Sequence, residues 1–187
     1  MKVICGDYIM IVKYLYRDIR DSVARNDYLY ELVRNFPGSL GFYLREKVLL
    51  KRFKTVGKNI KIHKGCIITN IQNVEVGNDV NLGINNYIQA GGGVFIGDNT
   101  LLGPYVNIWS QNHRYKNPLV PIISQGYDYK KVFIGKDVWI GANVFIMPGA
   151  KIGDHCVISA SSVVGAKNYP PNLILAGNPA RKIGERK

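Results

Sequence analysis

Three residue types are scarce in this chain: cysteine, at Cys5, Cys66 and Cys156, histidine, at His63, His113 and His155, and tryptophan, at Trp109 and Trp139. The cysteines are scattered without metal-binding spacing, which argues against a disulfide framework and for a reducing cytoplasm. Each reads as a small apolar core filler. The histidines are equally dispersed, so no close pair opens a zinc site, which needs convergent ligands and a free position. Long apolar runs are missing as well. Asp7, Lys13 and Arg17 interrupt the first hydrophobic stretch too soon for a membrane span, and no small-residue cleavage pattern follows Ile9 to Leu15, so no cleaved signal peptide is expected. Acidic residues are few: 13 Asp and Glu face 25 Lys and Arg, a net charge of +12, with the excess densest over the first 61 residues. Neither a nucleic-acid-binding motif nor a basic stripe with base-stacking aromatics accompanies that charge, so nucleic acid is not an expected partner.

What the chain does have is a count of six. From Ile134 to Tyr169 an aliphatic residue returns at Ile134, Ile140, Ile146, Ile152, Ile158 and Val164. A helix repeats its apolar face near 3.6 residues and a strand near 2, so neither explains this. Two places earlier in each six sits another small or apolar residue: Val132, Val138, Val144, Ala150, Cys156 and Ser162. Both positions are expected to point inward. The aliphatic residue is often followed by Gly and then, one residue on, by Asn, Asp or His, as in IGDN at 96–99, IGKD at 134–137, IGAN at 140–143 and IGDH at 152–155. Gly, Asn and Asp tolerate left-handed backbone and suit sharp corners. Short straight pieces joined by corners and stacked about 4.7–4.9 Å apart make a prism in which each copy buries its apolar residues only against the next.

The pattern [Leu/Ile/Val]-Gly-x-x-x-x, with WIGANV, IMPGAKIGD and the later AGNPAR, resembles the hexapeptide-repeat acyltransferases, over roughly Val56 to Ile183. The resemblance implies a mainly β fold, a left-handed parallel β-helix with an N-terminal helical segment and a protruding loop. The expected division is a helical cap over 1–55, a β-helix over 56–169 with an excursion over 109–131, and a C-terminal tail over 170–187.

In the N-terminal part, Ile19, Val23, Leu29, Leu32, Val33 and Phe36 suit one side of a helix from Arg17 to Phe36. Pro37-Gly38 breaks it, and Ser39 is in place to cap a second helix through Phe53. That basic amphipathic segment would cap the open end of the solenoid, and its cations would also suit an anionic membrane surface. Peripheral membrane association through the basic N-terminal helices is therefore carried as an expectation. The arrangement PG-x-LG-x-x-LR before the first hexads is similar to acetyltransferases that decorate bacterial surface polysaccharides.

Hexads begin near Val56, Ile62 and Ile68, resume in a shifted frame at Val76, Leu82 and Ile88, and shift again near Gly91-Gly92-Gly93 to Ile96, Leu102 and Ile108. The triple glycine reads as a loosened corner, since the Lys-Ser/Thr pair and helix of a phosphate loop do not follow. After Ile108 the count stops until Val132. A long loop inside a regular solenoid points to function.

Acyl transfer to a hydroxyl needs a base, because an alcohol is a poor nucleophile near neutral pH. His113, at the root of the excursion in Asn112-His113-Arg114-Tyr115, resembles in position the catalytic histidine of the family. It would take the acceptor's proton and later protonate the leaving thiolate, with no covalent intermediate. His155, at a corner, is expected to point into solvent. The resemblance implies acetyl-coenzyme A as co-substrate, without metal, lying in a groove between neighbouring β-helices. Residues matching its contacts are Ala142 and Ala160, where small side chains admit the pantetheine arm, and Lys167 and Arg181, whose cations suit phosphates. Trp139 would line the acyl groove or cover a neighbouring subunit. Asn85 resembles an asparagine that positions the acceptor, although the second asparagine expected two places earlier is Gly83 here. Asn112, Trp109 and the aromatic loop residues Tyr115, Tyr127 and Tyr129 would meet a sugar acceptor.

The leading expectation is an acetyl-CoA-dependent O-acetyltransferase acting on a carbohydrate hydroxyl in surface polysaccharide biosynthesis. It would work as a homotrimer with each site between two subunits, because a flat apolar flank needs covering and cyclic symmetry is the usual solution. The alternatives are N-acetylation of an amino or nucleotide sugar, and a non-catalytic scaffold docking on membrane or acidic polymer.

Overall fold

The structure, a computed structural model, describes residues 2–187, with the side chains of 10–21 and 27–187. The expectations on the side chains of Cys5, Asp7, Ile9 and Val23 lie outside those described. Three helices, α1 (Lys2–Arg20), α2 (Ser22–Arg34) and α3 (Gly38–Leu49), precede a parallel β-solenoid of about six turns. Its walls are sheets of six, seven and five strands. Val56, Val76, Ile96, Ile134, Ile152 and Tyr169 follow one another down the first wall. In the second wall Ile140 pairs with Leu102 and Ile158, and in the third Ile146 pairs with Ile108 and Val164. The hexad isoleucines and the small residues two places before them, Cys156 and Ser162 included, are buried and fill the prism. A fully buried aliphatic side chain contributes about 1.5–3 kcal/mol, so the repeat is its own core.

At the corners, the left-handed residue is the polar one. Asn99, Asp137, Asn143 and His155 have φ of 59°, 49°, 58° and 61°. The glycine two places before each has a different reason. A Cβ on Gly141 would lie 2.6 Å from the backbone N of Ala160 in the next coil, so close stacking of backbones, rather than backbone freedom, requires glycine there.

Both frame shifts and the excursion leave the prism at one corner, between the third and first walls. The extra residues lie after Ile68, with a short 3-10 turn at Ile71–Asn73, after Ile88, and after Ile108. Trp109 stays in the third wall, paired with Gln89, so the departure comes one residue later than the sequence pattern suggests. The excursion opens as an antiparallel hairpin of Gln111–His113 against Tyr127–Tyr129.

Two helix expectations need correction. The segment Arg17 to Phe36 is not one helix: α1 ends at Arg20 and α2 starts at Ser22, at an Asp-Ser pair whose side chains favour a helix start. Ser39 is not the cap of α3. Pro37 occupies that position without a side-chain cap, its carbonyl accepting the Gly41 N–H at 3.1 Å.

α2 and α3 lie over the first coil. The buried Arg45 guanidinium donates to the Ile62 carbonyl at 2.9 Å and to those of Phe36, Val33 and Arg34 at 2.8, 3.3 and 3.3 Å. It thereby gathers the last carbonyls of α2 onto the solenoid. The Tyr30 hydroxyl donates to the Cys66 carbonyl alongside. At the other end, Leu173–Ala176 adds a parallel strand to the second wall and Arg181–Glu185 returns antiparallel to it. The C-terminal residues are thus part of the last turn rather than a free tail, and Leu175 and Ala180 are buried.

Candidate active site

His113 ends the first strand of the excursion hairpin, opposite Tyr127. Its ring is exposed and lies 4.4 Å, centroid to centroid, from that of Tyr127. The Asn112 side-chain oxygen accepts the His113 backbone N–H at 3.0 Å, and Arg114 pairs with Asp128 at 2.8 Å across the strands. The one carboxylate in the hairpin is therefore engaged by an arginine rather than by the histidine.

The base of the hairpin is set by Ser110, which the sequence reading passed over, and by the triple glycine. Buried Ser110 receives the Gly92 N–H on its hydroxyl at 2.9 Å and donates to the Gln89 carbonyl at 3.0 Å. Its own carbonyl accepts the Lys130 N–H at 2.8 Å. Gly91 and Gly92 supply the floor, because a Cβ on Gly92 would stand 2.3 Å from the Ser110 oxygen and 2.7 Å from the Lys130 nitrogen. The triple glycine is thus the seat of the hairpin, more than a loosened corner. Its position one coil before the interruption was the available signal.

The remaining expected site residues fall on two edges of the prism. At the edge between the third and first walls lie Trp109, Asn112, His113 and Lys167, whose carbonyl accepts the Lys151 N–H at 2.9 Å. Trp109 is half-buried, its ring 5.5 Å from that of Phe145 and 6.2 Å from that of Tyr87. Among the described residues its indole N–H has no partner. The other edge, between the second and third walls, carries Asn85, Ala142 and Ala160. Asn85 is exposed in left-handed backbone, φ 55°, and the Ser161 N–H bonds the Ala142 carbonyl at 2.8 Å, so Ala142 and Ala160 occupy neighbouring turns of one column. Arg181, paired with Ala176 at the end of the second wall, is exposed beside that column. Trp139 stands 54% exposed on the outer face of the second wall, between Leu101 and Val157. Of the expected cofactor contacts, Lys167 lies on the other edge and Trp139 on the face of the second wall, so a single chain groups only Ala142, Ala160 and Arg181.

The other histidines are elsewhere. His155 is exposed and bonds Asp137 at 2.9 Å; that contact, with Arg186 nearby, holds the Asp137 carboxyl below the usual range. His63 meets the edge of Phe42 at 4.9 Å, and burial, with Arg45 and Lys61 nearby, lowers its pKa. Among the described residues no three His, Cys, Asp or Glu side chains converge. A groove of about 1090 Å³ between α3 and the second wall includes Phe42, His63, Asn81 and Leu101, and contains none of the expected site residues.

Hexads stacked into a prism, interrupted once by a histidine-bearing excursion, define a hexapeptide-repeat transferase. Residues 131–166 match the family described as bacterial transferase hexapeptide (six repeats). The chain is 34% identical to the galactoside O-acetyltransferase of Escherichia coli strain K12 over 157 residues, 84% of this chain and 75% of that protein. Among solved structures, a maltose O-acetyltransferase from Clostridium difficile 630 is 33% identical, with a TM-score of 0.76 over 90% of this chain and 91% of that one. A galactoside acetyltransferase in complex with coenzyme A is 32% identical, with a TM-score of 0.77 over 86% and 78% of the two chains. The chain belongs to the hexapeptide-repeat acetyltransferase family, and it is an enzyme of the acyltransferase class.

Proposed function

We propose that the protein transfers an acetyl group from acetyl-coenzyme A to a hydroxyl of a carbohydrate, with His113 as general base, in a homotrimer whose sites each lie between two copies. The observation that carries this is the exposed His113 at the interruption of the repeat, in a chain whose relatives are named for galactoside and maltose. An imidazole nitrogen takes the hydroxyl proton as the oxygen attacks the thioester carbonyl. The tetrahedral adduct then collapses, the carbon–sulfur bond breaks, and the proton returns to the thiolate. One imidazole serves both transfers.

The shared site is favoured by the separation of the expected residues. Asn85, Ala142, Ala160 and Arg181 stand on one edge of the prism and Trp109, Asn112, His113 and Lys167 on another, so a neighbouring copy would complete each set. The column of Ala142 and Ala160 suits a thin pantetheine arm, and Arg181 beside it suits phosphate oxygens. Leu101 and Trp139, exposed on the second wall, are the apolar flank a neighbour would cover. The acceptor we favour is a glycan of the cell surface, modified in the reducing cytoplasm, where the free thiols of Cys66 and Cys156 are at home.

Thiol release from acetyl-CoA, measured with galactosides, maltose and an amino sugar in turn, tests the reading. Turnover with the hydroxyl acceptors is expected, and the His113→Ala variant should lose about a hundred- to ten-thousandfold of it. Transfer confined to the amine would replace O- by N-acetylation, and undiminished turnover in the variant would remove His113 from the mechanism. A chain that fails to bind coenzyme A by calorimetry would be a scaffold. Sedimentation should give three times 21.0 kDa.

A further inference from the structure

α3 spends its inner face on the solenoid, where Leu49 and even Arg45 are buried. α1 does not. Ile11, Val12, Leu15, Tyr16 and Ile19 are 54%, 64%, 44%, 57% and 59% exposed. At 3.6 residues per turn these five share one side of the helix, a stripe about 140° wide. Along one flank of it come Arg20, Lys13 and Arg17. The Arg20 guanidinium lies over the Tyr16 ring at 4.4 Å, and that of Arg17 over Tyr14 at 5.1 Å. Of the acids, Asp18 accepts a hydrogen bond from the Tyr28 hydroxyl of α2 at 3.1 Å and lies 3.5 Å from the Arg17 guanidinium.

We infer that α1 lies in the plane of an anionic lipid surface, its apolar stripe among the acyl chains and Lys13, Arg17 and Arg20 at the headgroups. Among the described residues no helix is long and apolar enough to cross a membrane. An in-plane helix needs only one apolar face, sunk about 5–10 Å, with long cationic and aromatic side chains at its margin. The described part of that face runs from Ile11 to Ile19, about 12 Å of helix.

Charge selects lipid over a second copy as the occupant. The first 61 residues hold 13 Lys and Arg against 6 Asp and Glu, so two such segments repel while an anionic bilayer attracts. The stripe is also broader than the two-position seam of a coiled coil. Its functional meaning rests on the surface-glycan acceptor proposed above, since such an acceptor would be met at a membrane. Its measurement does not.

The test is flotation of the full chain with phosphatidylcholine vesicles, and with vesicles in which a third of the lipid is phosphatidylglycerol, with turnover on a soluble sugar followed in the same samples. Binding to the anionic vesicles, weakened by salt, is expected. The Leu15→Glu variant should abolish it while leaving turnover and sedimentation in lipid-free buffer unchanged. A Lys13→Gln, Arg17→Gln, Arg20→Gln variant should weaken it about a hundredfold at low salt, at about 1 kcal/mol per cation. Absence of wild-type binding to either vesicle, or undiminished binding by Leu15→Glu, would overturn the inference. So would a change in oligomeric mass on Leu15→Glu, which would make the stripe a contact between copies. Vesicle binding without turnover would retire the acceptor reading and leave this one standing.

Discussion

His113 and Tyr127 face each other across the excursion hairpin, their rings 4.4 Å apart at an interplanar angle of 39°. Cross-strand aromatic contacts of this kind contribute up to about 1 kcal/mol and, more to the point, restrict rotamers. Tyr127 is therefore a positioning residue for the imidazole. Replacing it with Ala is expected to lower kcat about tenfold with little effect on KM, and Phe should restore the rate, because the ring rather than the hydroxyl does the orienting. Equal losses in Ala and Phe variants would assign the effect to the hydroxyl instead.

Gly92 supports the same hairpin from below. A methyl group there would meet backbone atoms of Ser110 and Lys130 rather than a movable side chain, so Gly92→Ala must shift the root that carries His113. The expected result is a loss of turnover of about a hundredfold with the unfolding midpoint lowered only modestly. Wild-type kinetics in this variant would show that the hairpin is not set by its glycine floor.

Arg45 is buried with its guanidinium surrounded by four carbonyl oxygens of α2, the following turn and the first coil. Its desolvated charge has a pKa below that of a free arginine, and the carbonyl dipoles offset the cost. Arg45→Met would leave the Ile62 and Phe36 oxygens without that donor in a dry setting, while Val33 and Arg34 keep the Phe36 and Gly65 N–H groups, costing about 3 kcal/mol or more. Urea unfolding measures that loss. Lys at this position should recover little, because one ammonium cannot reach from Ile62 to Phe36. Hydrogen exchange should show the loosening in α2 and α3 first, with the later coils protected.

Alkali should act at the same junction. Burial pushes the Cys66 thiol from 9.0 up to about 11 and raises Tyr30 beside it in the same direction. The unfolded chain gives up these protons first. Stability is therefore complete below pH 9.0 and declines as pH rises through the folded value near 11, by about 3 kcal/mol from Cys66 alone. Thermal unfolding followed between neutral and strongly alkaline pH checks the sign. The double variant Cys66→Ala, Tyr30→Phe should flatten that part of the profile.

Much of the fold was legible because the repeat is a local code. An aliphatic residue every six places, a small residue two before it and a left-handed polar residue three after it are each decided within one coil, and register follows when identical coils stack. The helices were less legible. The break at Pro37-Gly38 was legible, but the docking of α2 and α3 depends on carbonyls at Val33, Arg34, Phe36 and Ile62 that Arg45 satisfies, a partnership that no window along the chain contains. For the site, His113 stood out because it sits where the count fails. Ser110 did not, and Gly92 and Tyr127 were read in other roles, since their relation to it arises only when Trp109 stays in the wall and Lys130 returns to bond Ser110.

By itself, the sequence determined that this is a hexad solenoid with one interruption, because each coil buries its own apolar pair against the next. Tertiary structure alone decided that every surplus residue leaves by one edge and that the expected contacts for donor and acceptor are divided between two edges. It also decided that α3 is consumed as a cap while α1 keeps an exposed apolar face. These outcomes depend on which surfaces are already covered once the chain has closed on itself, and burial of that kind belongs to pairs of elements rather than to any one of them.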